Sequence, residues 1–411
     1  MNDSIIKEAA EKFGTPLHIF DAERFDRNYK ELDLELNRFY PKHRIAYSFK
    51  TNYTPAVCKR GLKMGGLAEV VSGMEYNLAR KIGFEGTQIV VNGPGKIESL
   101  NEMLCGGALV LLDNLQEVKA ALNYEGATKA RIGLRLNFEI GSGKDSRFGF
   151  DINGEEIKAA VNLLKSSLQG NLSFEALSFH LSGARSLEAW GKRAEKMAVI
   201  VRKFREEYNL NIQYLDLGSG MFGHLNPKLA KQFGQYIPSF REYSEIISLK
   251  IDKIFESENR KPCIIVEPGT TVVADTFDYC TKIVAVKHIR SRNIAVTDGS
   301  FQQLGELCVH KKLPVRIIKS DIYTDNLGEK LQPPIEITGY TCLENDIMHP
   351  SFDSETCIGD MICFENAGSY SIVLKPPFIK EACPIVKYED GALELVRRKE
   401  EFQDIFGSYA F

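Results

Sequence analysis

From residue 44 to about 275 the apolar positions of the chain alternate between two periods. Short runs rich in β-branched and apolar residues recur at "RIAYSFK" (44–50), "LAEVVS" (67–72), "QIVVNG" (88–93) and "LVLLDN" (109–114). They continue at "ARIGLRLN" (130–137), "FEALSFHL" (174–181), "YLDLGSG" (214–220) and "CIIVEPG" (263–269). Runs this short and this apolar read as buried strands. Between them lie stretches such as "MEYNLARKIG" (74–83) and "LEAWGKRAEKMAVIVRKFREEY" (187–208), whose apolar residues return every three or four positions, as one face of a helix does. Strand and helix in turn imply parallel strands joined by crossover helices. Eight strands over about 230 residues match a (β/α)8 barrel in size. An open, doubly wound sheet is the alternative for the same alternation.

After residue 277 strand-like runs follow one another without a long helix: "CTKIVAVKHI", "NIAVTDG", "LPVRIIKS", "PPIEITGYTC" and "DMICFENAGSYSIVL". Near the end, "CPIVKYEDGALELVRR" places Asp390-Gly391 between two arms, a hairpin signal. "GTPLHIFDAE" (14–23) is another strand and is expected to join this group, because chain termini often lie together. The expected organisation is α/β plus all-β: a barrel over 26–277, with 1–25 and 278–411 forming a β-domain.

Composition narrows the function classes. The 411 residues carry a formal net charge of -3, and 26% are charged. Neither nucleic acid nor an anionic membrane is an expected partner. No window reaches the roughly 18 apolar residues of a spanning helix, and "MNDSIIKEAAEKFGTP" is too polar for a signal peptide. Nine scattered cysteines, with no CxxC pair, suggest neither a disulfide framework nor a zinc site. Reduced thiols and a cytoplasmic location are the expectation, with no metal.

In a barrel the chemistry sits at the C-terminal ends of the strands. The first run ends in Lys50, the second near Glu69 and Ser72, and the fifth in Arg135 and Asn137. The sixth ends in His180, followed by Ser182; the seventh in Gly218-Ser219-Gly220; the eighth in Glu267-Pro268-Gly269. A lysine closing a buried strand is either a solvated strand end with a packed stem or an amine nucleophile that forms a Schiff base. A Gly-Ser-Gly turn is either only a turn or a set of exposed N–H groups able to hold a phosphate. A histidine and a carboxylate at the same mouth favour the chemical reading of both.

These segments resemble the fold type III pyridoxal-phosphate decarboxylases, the group of diaminopimelate, ornithine and carboxynorspermidine decarboxylases, along essentially the whole chain. "YSFKTN" looks like the family's Tyr-Ala-x-Lys-Ala-Asn, which implies that Lys50 is the Schiff-base lysine. "AEVVSGMEYNLARKIGF" (68–84), "NGPGK" (92–96) and "SRFGF" (146–150) are similar to further family segments. "FHLSGAR" resembles the segment whose histidine stacks on the cofactor ring, here His180. "LGSGMFG" stands at the phosphate-binding loop, which implicates Gly218, Ser219 and Gly220. "VEPGT" resembles Glu-Pro-Gly-Arg, which implies that Glu267 meets the pyridine nitrogen and places Gly269 in the cofactor site. "CLENDIM" resembles the motif with a catalytic cysteine and a downstream aspartate, here Cys342 and Asp346. "AGSYSIV" resembles Gly-Ala-Tyr, whose tyrosine, here Tyr370, contacts the phosphate.

Three positions depart from the pattern. Ser219 replaces a glycine of the phosphate loop. In "HLSG" the serine falls one place early, which leaves a phosphate role for Ser182 open. Thr270 replaces the arginine of Glu-Pro-Gly-Arg, which in diaminopimelate decarboxylases helps to bind the far end of the substrate. That loss points to a specialised relative acting on another amino acid or a carrier-linked one, as in siderophore, antibiotic, polyamine or capsule synthesis.

The resemblance implies pyridoxal 5'-phosphate as cofactor and decarboxylation of an amino acid or its conjugate to the amine. Lys50, Cys342 and His180 are the catalytic candidates, and Asp346, Arg135 and Thr270 the substrate-side ones. It also implies a homodimer with shared active sites. A racemase of the same fold, or a non-catalytic cofactor-binding homologue, is the alternative. "CLENDIM" favours decarboxylation, and Lys50, Glu267 and Cys342 together favour an enzyme.

Overall fold

The computed structural model describes every residue except 168–169, 257–259, 306, 321–329 and 375–376. It divides into two compact units. One comprises Arg27–Gly223 and Tyr236–Thr271; the other comprises Met1–Asp26, His224–Gln235 and Val272–Phe411.

Along the chain β1 (Leu17–Asp21) comes first and belongs to the second unit. The first unit then supplies β2 (His43–Ser48), β3 (Leu67–Val70), β4 (Ile89–Val91), β5 (Leu109–Leu112) and β6 (Ala130–Asn137). The two-residue β7 (Phe150–Asp151), β8 (Leu172–Ser178), β9 (Tyr214–Asp216) and β10 (Cys263–Val266) complete it. Parallel ladders run β2-β3-β4-β5-β6-β8-β9-β10, and β10 pairs back onto β2, so eight strands close a barrel. Closure leaves no free edge, which excludes the open-sheet alternative. Ala46, Val90, Leu109, Leu111, Ala176 and Ile265, from five of the eight strands, form one buried cluster. Where β6 shifts register between Ile132 and Gly133, the backbone comes so close that a Cβ on Gly133 would lie 2.4 Å from the Ala176 carbonyl oxygen. Helices Gly73–Ile82 and Leu187–Tyr208 fall where the three- and four-residue spacing puts them. Ser72 and Ser186 cap their N-termini through side-chain oxygens.

The second unit adds β11 (Phe277–Ile289), β12 (Arg292–Thr297), β13 (Val315–Ile318), β14 (Ile335–Thr338), β15 (Ile347–Phe352), β16 (Met361–Phe364), β17 (Ile385–Glu389) and β18 (Ala392–Arg397). They form a mixed sheet in the order β15-β14-β12-β11-β1-β17-β18, with β16 on β11 and β13 on β16. β1 sits inside it, antiparallel to β11 and parallel to β17. Its burial on both faces follows, and Leu17, Ile19, Cys280, Cys363 and Val386 share one cluster. Asp390 and Gly391 both have positive φ, at 51° and 78°, as the hairpin turn between β17 and β18 requires. The sequence pattern does not distinguish β15. It contains Pro350, and an edge position is where a strand tolerates a residue without an N–H.

Candidate active site

β2 ends at Ser48, and the chain turns through one 3₁₀ turn, Phe49–Thr51. Phe49 and Thr51 are buried; Lys50 between them keeps its side chain one-third exposed. Its Nζ lies 2.8 and 2.6 Å from the two carboxylate oxygens of Glu69. The barrel register makes this pair, because Ser48 sits opposite Glu69 in the β2–β3 ladder. Glu69 is fully buried and also accepts the Ser48 hydroxyl at 2.5 Å. A buried carboxylate is stable only when compensated in this way. The amine is therefore fixed at the mouth rather than free in solvent.

His180 follows β8. Its Nδ1 accepts the backbone N–H of Ser219 at 3.1 Å, which assigns the remaining ring proton to Nε2 when the ring is neutral. Burial pushes its pKa well below 6.5, and the charges of Lys50, Arg193, Arg135 and Arg185 push the same way. Gly218 has φ +61°, and a Cβ there would lie 2.5 Å from that same Nδ1. Glycine is thus required twice over, by conformation and by contact. The Gly218 N–H is taken by Asp216 at 2.8 Å and the Ser219 N–H by His180. Gly220, at φ +103°, has open space beside its Cα, with only the Leu181 carbonyl at 3.7 Å from a Cβ built there. On β10's far end, a Cβ on Gly269 would meet the Thr51 hydroxyl at 2.0 Å, so this turn also needs glycine. The Ser219 hydroxyl lies 3.4 Å from that of Thr271.

Glu267 is buried and accepts the Asn92 amide at 3.1 Å; Asn92 in turn accepts Arg135 at 3.3 Å. Arg135 is itself buried, with its guanidinium 4.7 Å above the Phe148 ring and its Nε without a hydrogen-bond partner. Asp216, at the end of β9, lies against Glu267. Burial raises the pKa of both, and the Glu69 charge adds to each rise; Asp216 raises Glu267 further, whereas the hydrogen bond with Glu267 holds Asp216 down. Two buried carboxyls in contact hold a proton between them. Asp216 Oδ2 and the neighbouring Ser178 hydroxyl have no well-formed hydrogen bond. Thr270 opens the short helix Thr270–Val273 directly after Gly269.

The remaining candidates belong to the sheet unit. Cys342 is exposed, in the loop between β14 and β15. Asp346 is assigned to the substrate by the sequence reading. The structure shows what surrounds it. It is buried, and its oxygens accept the Thr341 N–H and hydroxyl (3.1 and 2.7 Å), the Phe301 N–H (2.9 Å) and the Ser300 hydroxyl (3.3 Å). It staples the loop that carries Cys342. Tyr370 is held at φ +56°, a strained conformation for a non-glycine residue and of a kind that clusters at functional sites.

The structure thus gathers Lys50, His180, Gly218, Ser219, Gly220, Glu267, Gly269, Thr270 and Arg135 at the C-terminal side of one barrel. It adds residues that the sequence reading did not assign: Ser48, Glu69, Asn92, Asp216 and Arg193. The first four were legible as polar side chains closing apolar strands. Arg193 carried a different signal, an arginine on the stripe of Trp190, Ala194 and Met197 in helix Leu187–Tyr208. Among the described residues no group of His, Cys, Asp and Glu could hold a metal ion. No described helix is long and apolar enough to cross a membrane.

Two family models match the chain. Residues 22–274 match the pyridoxal-binding domain of the pyridoxal-dependent decarboxylases, and residues 190–368 match the C-terminal sheet domain. A diaminopimelate decarboxylase of Aquifex aeolicus is 24% identical, over 97% of this chain and 93% of its own length. The L-glutamyl-[BtrI acyl-carrier protein] decarboxylase of Niallia circulans is 23% identical, over 98% of this chain and 96% of its own. The crystal structure of a diaminopimelate decarboxylase from M. jannaschii in complex with L-lysine shares the fold, with a TM-score of 0.83 at 21% identity, covering 98% of this chain and 94% of that one. With a barrel whose mouth collects an amine, a neutral histidine and a glycine loop, and with the family model spanning well over half its length, the chain belongs to the pyridoxal-dependent decarboxylases, which are carboxy-lyases.

Proposed function

We propose that the barrel mouth holds pyridoxal 5'-phosphate through Lys50 and decarboxylates an α-amino acid whose far end is not gripped by an arginine. The observation that carries this reading is the convergence of Lys50, His180 and Glu267 around the Gly218–Gly220 turn. Two features support the fit to the cofactor. The backbone at Gly220 has open space beside it, with only the Leu181 carbonyl 3.7 Å from a Cβ built there, and Asp216 is a buried carboxyl placed behind Glu267.

When bound, pyridoxal phosphate supplies an electron sink for the pair left behind as carbon dioxide departs. The chain's residues prepare that chemistry. Lys50 Nζ must shed a proton to act as a nucleophile, and Glu69, 2.6 Å away, is placed to take it. Glu267 would hold the proton of the ring nitrogen; Asp216 and Asn92 orient its carboxyl. Neutral His180 offers an aromatic face for stacking, and its edge is locked by Ser219. Gly218, Ser219, Gly220, Gly269 and Tyr370 would hold the phosphate. Cys342 would return a proton to the α-carbon, from a loop that Asp346 fixes. Since Cys342 and Tyr370 lie in the sheet unit, a homodimer with shared sites is part of the proposal.

Thr270 bears on the substrate. A threonine cannot make the two parallel charge-assisted bonds of a guanidinium. Diaminopimelate should be disfavoured by on the order of a hundredfold relative to the preferred substrate. A carrier-linked amino acid fits this better, and one relative of comparable identity is named for such a substrate. Carbon dioxide release across a panel of free amino acids and carrier-bound ones tests the reading. Efficient turnover of diaminopimelate overturns the substrate class; no release from any of them overturns the activity.

A further inference from the structure

Arg193 is fully buried in helix Leu187–Tyr208, beneath the Gly218–Gly220 turn. Its Nη1 donates to the carbonyls of Leu217 (3.0 Å) and Ser219 (2.8 Å), and its Nη2 to that of Leu181 (3.3 Å). The guanidinium lies 4.2 Å from the Trp190 ring centroid and 5.7 Å from that of Phe179. Trp190 packs edge-on against Tyr243, whose hydroxyl accepts the Phe222 N–H just beyond the turn. Among the described residues no carboxylate lies within ion-pair distance of Arg193. Burial lowers its pKa only to about 10, so the side chain is a cation at neutral pH.

A buried cation without a carboxylate is expensive to keep. Three carbonyl dipoles and the more distant charge of Asp216 and Glu267 offset part of that cost, and a further anion would offset more. The same three bonds join the two loops that bracket the proposed phosphate site: the one after His180 and the one after Asp216. By drawing the Ser219 carbonyl inward, Arg193 turns the opposite side of that peptide, the Gly220 N–H, outward; the Gly218 N–H, opposite the Leu217 carbonyl, is held by Asp216. The turn thereby offers the Gly220 N–H with a fixed positive charge behind it, an arrangement suited to a dianion.

We propose that Arg193 is the positioning residue of the phosphate site: it shapes the Gly218–Gly220 turn and supplies, from behind, the countercharge for the cofactor's phosphate. This rests on the assignment of pyridoxal phosphate to the barrel mouth. It makes Arg193 specific for the phosphate and indifferent to the pyridine ring. It also links the turn to His180, because the Ser219 peptide that gives its carbonyl to Arg193 lies next to the N–H that fixes the histidine ring.

The test compares pyridoxal phosphate with pyridoxal, which lacks only the phosphate, in absorbance titrations of the cofactor-stripped full-length protein. Wild type binding of pyridoxal phosphate is the control for the underlying assignment; its failure sinks that assignment and leaves Arg193 aside. In Arg193→Met, which keeps much of the apolar volume, affinity for pyridoxal phosphate should fall by at least about tenfold while affinity for pyridoxal changes little. Arg193→Lys, which keeps the charge, should restore most of the difference. Inorganic phosphate should compete with pyridoxal phosphate in the wild type and much less in Arg193→Met. If Arg193→Met does not fold, Arg193→Gln, which keeps two donors and loses the charge, gives the same comparison. An equal loss for both ligands, or a folded neutral variant with unchanged preference for the phosphorylated one, overturns the proposal.

Discussion

The Nδ1 of His180 accepts the backbone N–H of Ser219 at 3.1 Å, so the histidine at the barrel mouth and the glycine turn beside it are one rigid element. Any side chain on Gly218 breaks it, because a Cβ there would lie 2.5 Å from Nδ1 and 2.8 Å from the histidine Cβ. Gly218→Ala must also hold φ near +61°, which costs a non-glycine residue about 1–3 kcal/mol. The variant should unfold at a lower temperature and bind pyridoxal phosphate less tightly. Thermal unfolding and cofactor titration measure both, and unchanged affinity would remove the turn from the cofactor site.

Borohydride reduction of the cofactor-loaded protein should leave a pyridoxyl group on Lys50 and on no other lysine. Peptide mass mapping reads this directly. Lys96 is the informative control, because it is buried and committed to Glu117 at 2.6 Å. An adduct at Lys96, or anywhere but Lys50, would mean that the amine has been assigned to the wrong residue.

Mixing Lys50→Ala chains with Cys342→Ala chains should restore activity that neither has alone, if each site draws residues from two copies. With random exchange about a quarter of the sites are intact, because half the dimers are hybrid and each hybrid has one complete site of two. Absence of recovery, with subunit exchange verified by a tagged copy, argues for sites built within a single chain.

Cys342→Ala should bind cofactor normally and release carbon dioxide more slowly, by about 10²–10⁴-fold, if the thiol is the acid that protonates the α-carbon. Protonation at the wrong carbon then yields a carbonyl product and pyridoxamine phosphate in equal amounts. Cys342 is exposed in the single chain, so a mere packing role predicts little loss of stability as well. Product analysis after a fixed number of turnovers decides the matter. Amine as the only product at a near-normal rate removes Cys342 from the chemistry.

Glu75 carries a pH prediction. It is buried beside the mouth, and its Oε2 accepts the Val71 N–H at 2.8 Å. Burial raises its pKa from 4.5 to about 7, with the Glu69 charge adding to the rise. A group with a raised native pKa contributes stability that is fully present below its unfolded value. That contribution is lost as pH rises from 4.5 through 7. Glu75→Gln keeps the acceptor and cannot ionise. It should match the wild type near pH 5 and exceed it near pH 8.5 by up to about 3 kcal/mol, at about 1.4 kcal/mol per pH unit. Unfolding temperatures at the two pH values check it; a difference independent of pH refutes it.

The alternation of apolar runs and helical spacing located all eight barrel strands, and the Asp390-Gly391 signal located the last hairpin. Both are local properties of the chain, set by side-chain periodicity and by which residues accept positive φ. The runs overreach the strands at their C-terminal ends, however. "FEALSFHL" extends to 181 whereas β8 stops at Ser178, and "CIIVEPG" extends to 269 whereas β10 stops at Val266. His180, Glu267 and Gly269 lie in these overhangs, where the backbone leaves the ladder and side chains are free to converge.

The sequence by itself located the eight barrel strands, showed that Lys50, His180 and Glu267 stand at or just past their ends, and gave β1 the character of a strand. Only the tertiary structure decided what those residues meet. Lys50 and Glu69 are 19 positions apart and meet because the β2–β3 ladder sets their strand ends side by side; Asn92 and Glu267 are 175 apart, follow strands that are not neighbours, and meet across the mouth because the barrel closes. Arg193 appears in sequence as a misplaced charge on an apolar stripe, and its purpose emerges only when three carbonyls from two loops close around it. Periodicity reports a residue's exposure to its own element, whereas partnership between distant charges depends on register and barrel closure, which no local window contains.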